Sequence, residues 1–412
     1  MITLPVEFLP PVTPPIRRET ALGFLLTSRV LRGVAAGLVN IGFPYLLLTQ
    51  LHSGAFLLGI LYATGSLSTA GLSYIVSRYG SRRALRPAFL LSLALLPVAC
   101  ALLVWNPDFL AAALASVIGG FSATGSLAGG GVGGVAFPLQ TTILSDLVAP
   151  ADRTRWFSYF TFIASIAAAG GSLWAGFIDL PTLFLIALVV SIVSVGVSIP
   201  IPIRPVERGR KPSARSRDVI RRFTWTGVLN GFSQGLLTPF LIPFFVIVFA
   251  IPRSQMAVYS TISSLIGTFA LLAAPALERR WGFVRAIIGT RVIAAVLAAV
   301  MPFAPLAAAL GIYFALPGLR VAALPAQTSA LMGRLPHADR SEGAGTNQAA
   351  RVGAASGATA AAGYGLENVA AAVPFLGYAA ALVANAYLYF HFFGWDGERL
   401  PALSEGPEPA IR

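Results

Sequence analysis

Five arginines, Arg29, Arg32, Arg291, Arg320 and Arg351, lie inside apolar runs of this 412-residue chain, and no Asp or Glu lies at comparable depth. An arginine near the centre of a bilayer costs about 2.5–3.5 kcal/mol on the insertion scale, so it is kept where its charge is used. The guanidinium is always ionised and presents a planar fork of donors that matches carboxylate or phosphate oxygens two at a time. Without fixed carboxylates, its natural counter-ion is one that comes and goes. The expected chemistry is reversible binding of an anion in a buried cavity.

Other polar residues fall in register with these charges. Arg29, Arg32, Ala36 and Asn40 follow i, i+3, i+7 and i+11, which is one helical stripe. In a helix that begins near Thr20, Arg29 lies roughly 14 Å and Arg32 roughly 18 Å along the axis, which brackets the middle of the hydrocarbon. Asn230, Gln234 and Thr238 recur every fourth residue in a later run. Arg351 lies roughly 15 Å into its own run by the same rise. Gln140 and Gln327, each close to a proline, have two open roles: contact with ligand, or hydrogen bonding between helices.

Proton relays use a membrane-buried Asp, Glu or His. Here Asp146, Glu278 and Glu342 fall at one set of run ends, Asp179 and Glu367 at the other, and His52 and His337 in loops. There is no phosphate-binding loop, metal-ligand cluster or nucleophile–base pair, so no catalytic residue, metal or cofactor is expected.

The elements that carry these residues are legible from hydropathy. The chain is 56% hydrophobic and only 11% charged, against about 25% charged in a soluble domain. Twelve apolar runs are long enough to cross about 30 Å of hydrocarbon: 20–50, 55–77, 86–105, 109–146, 155–179, 182–203, 223–250, 254–277, 285–304, 306–333, 341–366 and 373–395. Gly129 to Gly134 makes the fourth the poorest helix former. The expected fold is an all-α membrane protein of twelve transmembrane helices in two pseudo-symmetric six-helix bundles. Its parts are a segment 1–19, a bundle 20–203, a basic linker 204–222, a second bundle 223–395 and a tail 396–412.

The +13 net charge does not call for nucleic acid, because the basic residues are confined to one set of loops. Arg78, Arg82, Arg83, Arg86, Arg153, Arg155, the eight Arg and Lys residues between 204 and 222, Arg279, Arg280, Arg334 and Arg340 all fall on one side. The opposite loops hold Arg253 alone. The positive-inside rule then places both termini and the linker in the cytoplasm of a multi-pass protein of the inner or plasma membrane. Trp105, Trp156, Trp174, Trp225, Trp281 and Trp395 fall toward run ends, as an aromatic belt requires.

The halves repeat. Val30-Leu31-Arg32-Gly33 with Gly37-Leu38 recurs as Val228-Leu229-Asn230-Gly231 with Gly235-Leu236, a spacing of 198 (228 − 30). Tyr62, Thr64 and Ser66 recur as Tyr259, Thr261 and Ser263. Pro138, Gln140, Thr141 and Thr142, with Ala151-Asp152-Arg153-Thr154, recur as Pro325, Gln327, Thr328 and Ser329 with Ala338-Asp339-Arg340-Ser341, a spacing of 187 (325 − 138). Asn230 is thus the repeat partner of Arg32. Parallel repeats joined by a loop imply two halves related by an axis along the membrane normal.

Six plus six spans, a long basic central loop and the run Ser77-Arg78-Tyr79-Gly80-Ser81-Arg82-Arg83 resemble the major facilitator superfamily over nearly the whole chain. A degenerate copy of that signature is Arg280-Trp281-Gly282-Phe283-Val284-Arg285. The resemblance implies that spans one, four, seven and ten line a central cavity. It implies gating roles for Ser77, Arg78, Gly80, Arg82 and Arg83, and for Asp146, Asp152, Arg153, Asp339 and Arg340 at the helix ends. Ser77 stands where the family usually has Asp, which weakens the charge link that braces one conformation. The ninth span is an outer one in this family, so Arg291 is expected to snorkel to the basic side, six residues beyond Arg285.

The expected substrate contacts are therefore Arg29, Arg32, Asn40, Gln140, Asn230, Gln234, Arg320, Gln327 and Arg351. The leading expectation is a monomeric secondary carrier of a small anionic solute, working by alternating access within the lipid bilayer. An exporter of amphipathic drugs or lipids, and a non-transporting receptor or assembly protein, stand as alternatives.

Overall fold

In hydrocarbon every backbone N–H and C=O must be bonded within its own segment, so an apolar chain of this kind has helix as its ready solution. The computed structural model describes residues 18–79, 85–121, 134–148, 153–202, 213–322, 327, 331, 334, 335 and 337–394, and no strand occurs among them. The first half comprises α1 (Arg18–Tyr45), which continues as a π turn over Leu46–Gln50, then α2 (Ala55–Tyr79), α3 (Leu85–Trp105), α4 (Phe109–Gly119), α5 (Phe137–Leu147), α6 (Arg153–Trp174) and α7 (Leu180–Ser198). The second comprises α8 (Ala214–Leu237), α9 (Leu241–Phe249), α10 (Arg253–Trp281), α11 (Phe283–Val300), α12 (Leu306–Ala322), α13 (His337–Asn368) and α14 (Val373–Phe393).

Each expected span has its helix, with α4 and α5 sharing the fourth and α8 and α9 the seventh. Among the described residues seven segments, including Arg18–Gln50, Ala214–Phe249 and Val373–Phe393, are long and apolar enough to cross a bilayer. The seventh begins earlier than hydropathy suggests. Ser213 caps α8 by accepting from the Ser216 N–H at 3.1 Å, and Asp218 pairs with Arg221 at 2.7 Å and Arg222 at 2.9 Å. A polar helical turn thus precedes the apolar part.

Packing repeats as the sequence does. In the first half α1 packs on α6 and α7; in the second α8 packs on α13 and α14. Gly33 faces the Ala164 carbonyl on α6, where a Cβ would come to 2.7 Å of the oxygen; Gly231 faces the Arg351 carbonyl on α13 more tightly still. The partners Ala164 and Arg351 are 187 apart (351 − 164), the spacing already seen from Pro138 to Pro325. Each motif glycine is therefore a point where two helix backbones touch. Likewise the Ser28 and Ser194 hydroxyls meet at 2.9 Å between α1 and α7, while Asn385 of α14 donates to the Thr226 carbonyl of α8 at 2.7 Å.

The halves meet through α2 with α13 and α6 with α10. Several bonds bind them at the end remote from the termini. Tyr45 donates to the Ile251 carbonyl at 2.8 Å, and the Phe56 N–H donates to Glu367 Oε2 at 2.7 Å. Ser356 donates to the Ala63 carbonyl at 2.7 Å, Thr261 to the Ala169 carbonyl at 3.1 Å, and Arg253 to the Ile178 carbonyl. Phe56 and Tyr364 stack edge to face beside them. This distal seam is closed.

Candidate functional site

Helices α8, α11, α12 and α14 of the second half, together with Gln327 beyond the end of α12, border a small cavity of about 20 Å³ lined by Asn230, Ser233, Gln234, Arg291, Arg320, Gln327 and Tyr378. The fourfold register of α8 explains why Asn230 and Gln234 share it. Four of the expected contact residues (Asn230, Gln234, Arg320 and Gln327) are thus brought together.

Arg291 was expected at the surface, and the structure corrects this. It is only 5% exposed, with its guanidinium carbon 4.6 Å from the Tyr389 ring centroid. The reason is the facing of α11. Val292, Ile293, Val296 and Val300 form its exposed side, while Arg291, Ala294, Ala295 and Ala298 turn inward, with α11 packed against α14. Tyr378 is also a cavity residue that sequence reading missed. The depth of Arg291 was readable, but no stripe argument joined it to the other site residues, and Tyr378 carried neither signal. The repeat held a signal for Arg291: it is 198 residues (291 − 93) beyond Leu93, the α3 residue that Arg32 reaches.

The electrostatics of the cavity are unbalanced. Arg291 Nη1, Arg320 Nε and Tyr378 Oη are buried and without hydrogen-bond partners among the described residues. Tyr378 interacts electrostatically with both guanidiniums, and Arg351 lies close enough to Arg320 to be repelled by it. Arg351 donates to Gln348 Oε1 at 2.8 Å. Among the described residues no carboxylate forms an ion pair with Arg29, Arg291, Arg320 or Arg351.

The first half holds its arginines differently. Arg29 lies between the rings of Phe137 and Phe160, 5.0 and 4.9 Å from their centroids, and donates to Gln140 Oε1 at 3.4 Å. Arg32 donates to the Leu93 carbonyl of α3 at 3.0 Å. Both are buried within the half and repel one another. Arg32 is thus bonded to α3 within its own half, while Arg320 lines the cavity of the second half. Asn40 is half-buried further along α1.

Of the expected gating residues, Ser77 and Arg78 are helical in α2, Asp146 in α5, Arg153 in α6, and Asp339 and Arg340 in α13. Their side chains, and all of Gly80, Arg82, Arg83 and Asp152, lie outside the described residues.

A family model described as Major Facilitator Superfamily matches residues 25–361. No curated protein matches the chain by sequence. Similar solved structures include the human organic anion transporter MFSD10 (TETRAN), at 16% identity and TM-score 0.68, covering 92% of this chain and 100% of that one. A bacterial homologue of the iron transporter ferroportin, in an inward-facing state, gives 14% and 0.66 over 91% and 98%. The nucleoside transporter NupG gives 13% and 0.63 over 90% and 99%.

Proposed function

We infer, from a chain that belongs to the major facilitator superfamily, that this membrane transporter carries a small anionic solute by alternating access. Membership makes it a multi-pass carrier of small molecules. The similar structures include organic anion, iron and nucleoside carriers, so fold likeness does not choose among solutes. The charge does. The observation that carries the reading is the like-charge pair of Arg320 on α12 and Arg351 on α13, with Asn230 and Gln234 beside Arg320 and no paired carboxylate among the described residues.

A solute anion held near Arg320 and Arg351 would neutralise charges that otherwise repel, so a loaded protein changes conformation more readily than an empty one. That favours exchange of one anion for another over net movement. With the termini in the cytoplasm, the closed distal seam corresponds to an inward-facing state.

The test is transport in proteoliposomes of an anion first found by thermal-shift screening of the purified protein. Arg320→Gln and Arg351→Gln each remove a charge and a donor fork. Affinity should fall roughly ten- to a hundredfold, the value of a charge-assisted hydrogen bond. Exchange by both variants at the parent rate would overturn the reading.

A further inference from the structure

The cavity among α8, α11, α12 and α14 contains more donors than its surroundings can satisfy. Arg291 Nη1, Arg320 Nε and the Tyr378 hydroxyl are each buried and without a partner among the described residues, and all three residues line the same cavity. A guanidinium has donors only, and although Ser233 and the amides of Asn230, Gln234 and Gln327 bring neutral acceptors to the lining, none engages these donors or carries a compensating charge. Leaving such donors unmatched costs more than the bonds would contribute, and a buried charge raises that cost.

The available space limits the acceptor. About 20 Å³ admits one particle near the size of a water molecule. A carboxylate with a carbon skeleton behind it needs several times that room. Charge limits it further, because Arg291 and Arg320 bring two positive charges and, among the described residues, no carboxylate lines the cavity. Water would satisfy a donor but leave both charges uncompensated.

We propose that this cavity is a halide site, holding one chloride between Arg291, Arg320 and the Tyr378 hydroxyl, inside the second half and apart from the transported solute. The Tyr389 ring under Arg291 fixes that guanidinium from its other face. The ion compensates Arg320, whose charge in turn acts on Arg351. Chloride occupancy is thereby linked to the charge that meets the solute. The site does not depend on the carrier reading: it would bind chloride even in a protein that moved nothing.

The test uses the full-length protein in detergent, with chloride titrated into sodium gluconate at constant ionic strength and melting temperature recorded without any other ligand. A saturable rise is expected for the parent. Tyr378→Phe keeps the ring and removes one donor, so half-saturation should move to roughly ten- to a hundredfold higher chloride. Arg291→Gln should abolish the response, while Arg351→Gln, outside the cavity, should keep it. No saturable response in the parent, or the same response in Arg291→Gln, would overturn the site. If Arg291→Gln does not fold, the parent titration and Tyr378→Phe decide by themselves. Loss of solute exchange in Arg351→Gln with an intact chloride response separates the two readings.

Discussion

The carboxylate of Glu367, at the end of α13, accepts the Phe56 N–H at the start of α2 with Oε2 2.7 Å from the nitrogen. One half of the molecule thus caps a helix of the other, adding a charge–dipole attraction to the hydrogen bond. Because this contact exists only while the distal end is closed, Glu367→Gln should favour the distally open state. Cys100 is the chain's one cysteine and is buried, so it gives little background to thiol reagents. Ala63→Cys, buried at this seam beside Ser356, should label several-fold faster in the Glu367→Gln background. Equal labelling rates would remove Glu367 from the gate.

The glycine of the second repeat motif predicts a sharp packing cost. A methyl at Gly231 has no room beside the Arg351 carbonyl, whereas one at Gly353 of the same helix pair meets nothing within 4 Å. Gly231→Ala should destabilise by about 1–3 kcal/mol, the usual range for overpacking. Gly353→Ala should be neutral or slightly stabilising. Thermal unfolding in one detergent compares them directly, and matching melting temperatures would contradict the close approach.

Asp179 caps α7, and its carboxyl is held below the usual carboxylate range by the Thr182 N–H first and the Thr182 side chain next. A lowered pKa in the folded state means stabilisation that is present above the unfolded value and lost as pH falls through the folded one. The melting temperature of the parent should therefore drop on acidification below about pH 4, and the Asp179→Asn protein should show a smaller drop. An identical pH profile in both would show the cap to be idle.

Topology is checked by accessibility from outside intact cells. Basic residues concentrate on the side of the central loop, so a membrane-impermeant thiol reagent should modify Gln50→Cys and leave Lys211→Cys untouched. The reverse pattern would invert the molecule.

Helix positions were legible in the sequence because length and hydropathy are local properties, and the repeat was legible because glycines recur wherever two backbones touch. The direction of a side chain was not. Arg29 and Arg32 share a stripe by spacing, but three residues along a helix is most of a turn, and they diverge to Gln140 and Leu93. Which way a stripe faces depends on neighbours that periodicity does not name. Arg291 shows the same limit in reverse. Its depth was readable, but its inward facing follows from the exposed Val292, Ile293 and Val296 on the other side of α11. Tyr378 was invisible because a buried tyrosine becomes informative only once its hydroxyl is known to lack a partner.

The bonds that close the distal seam share one property. Tyr45, Ser356, Thr261 and Arg253 donate to main-chain carbonyls, and Glu367 accepts from a main-chain N–H. Each fastening therefore depends on the identity of one residue, since any amino acid supplies the carbonyl opposite and any but proline the N–H. The two halves can drift in sequence without compensating for one another across this seam. A saturation mutagenesis scan should find Tyr45 and Ser356 intolerant, their partners Ile251 and Ala63 tolerant of replacements of similar size, and no paired rescue between them.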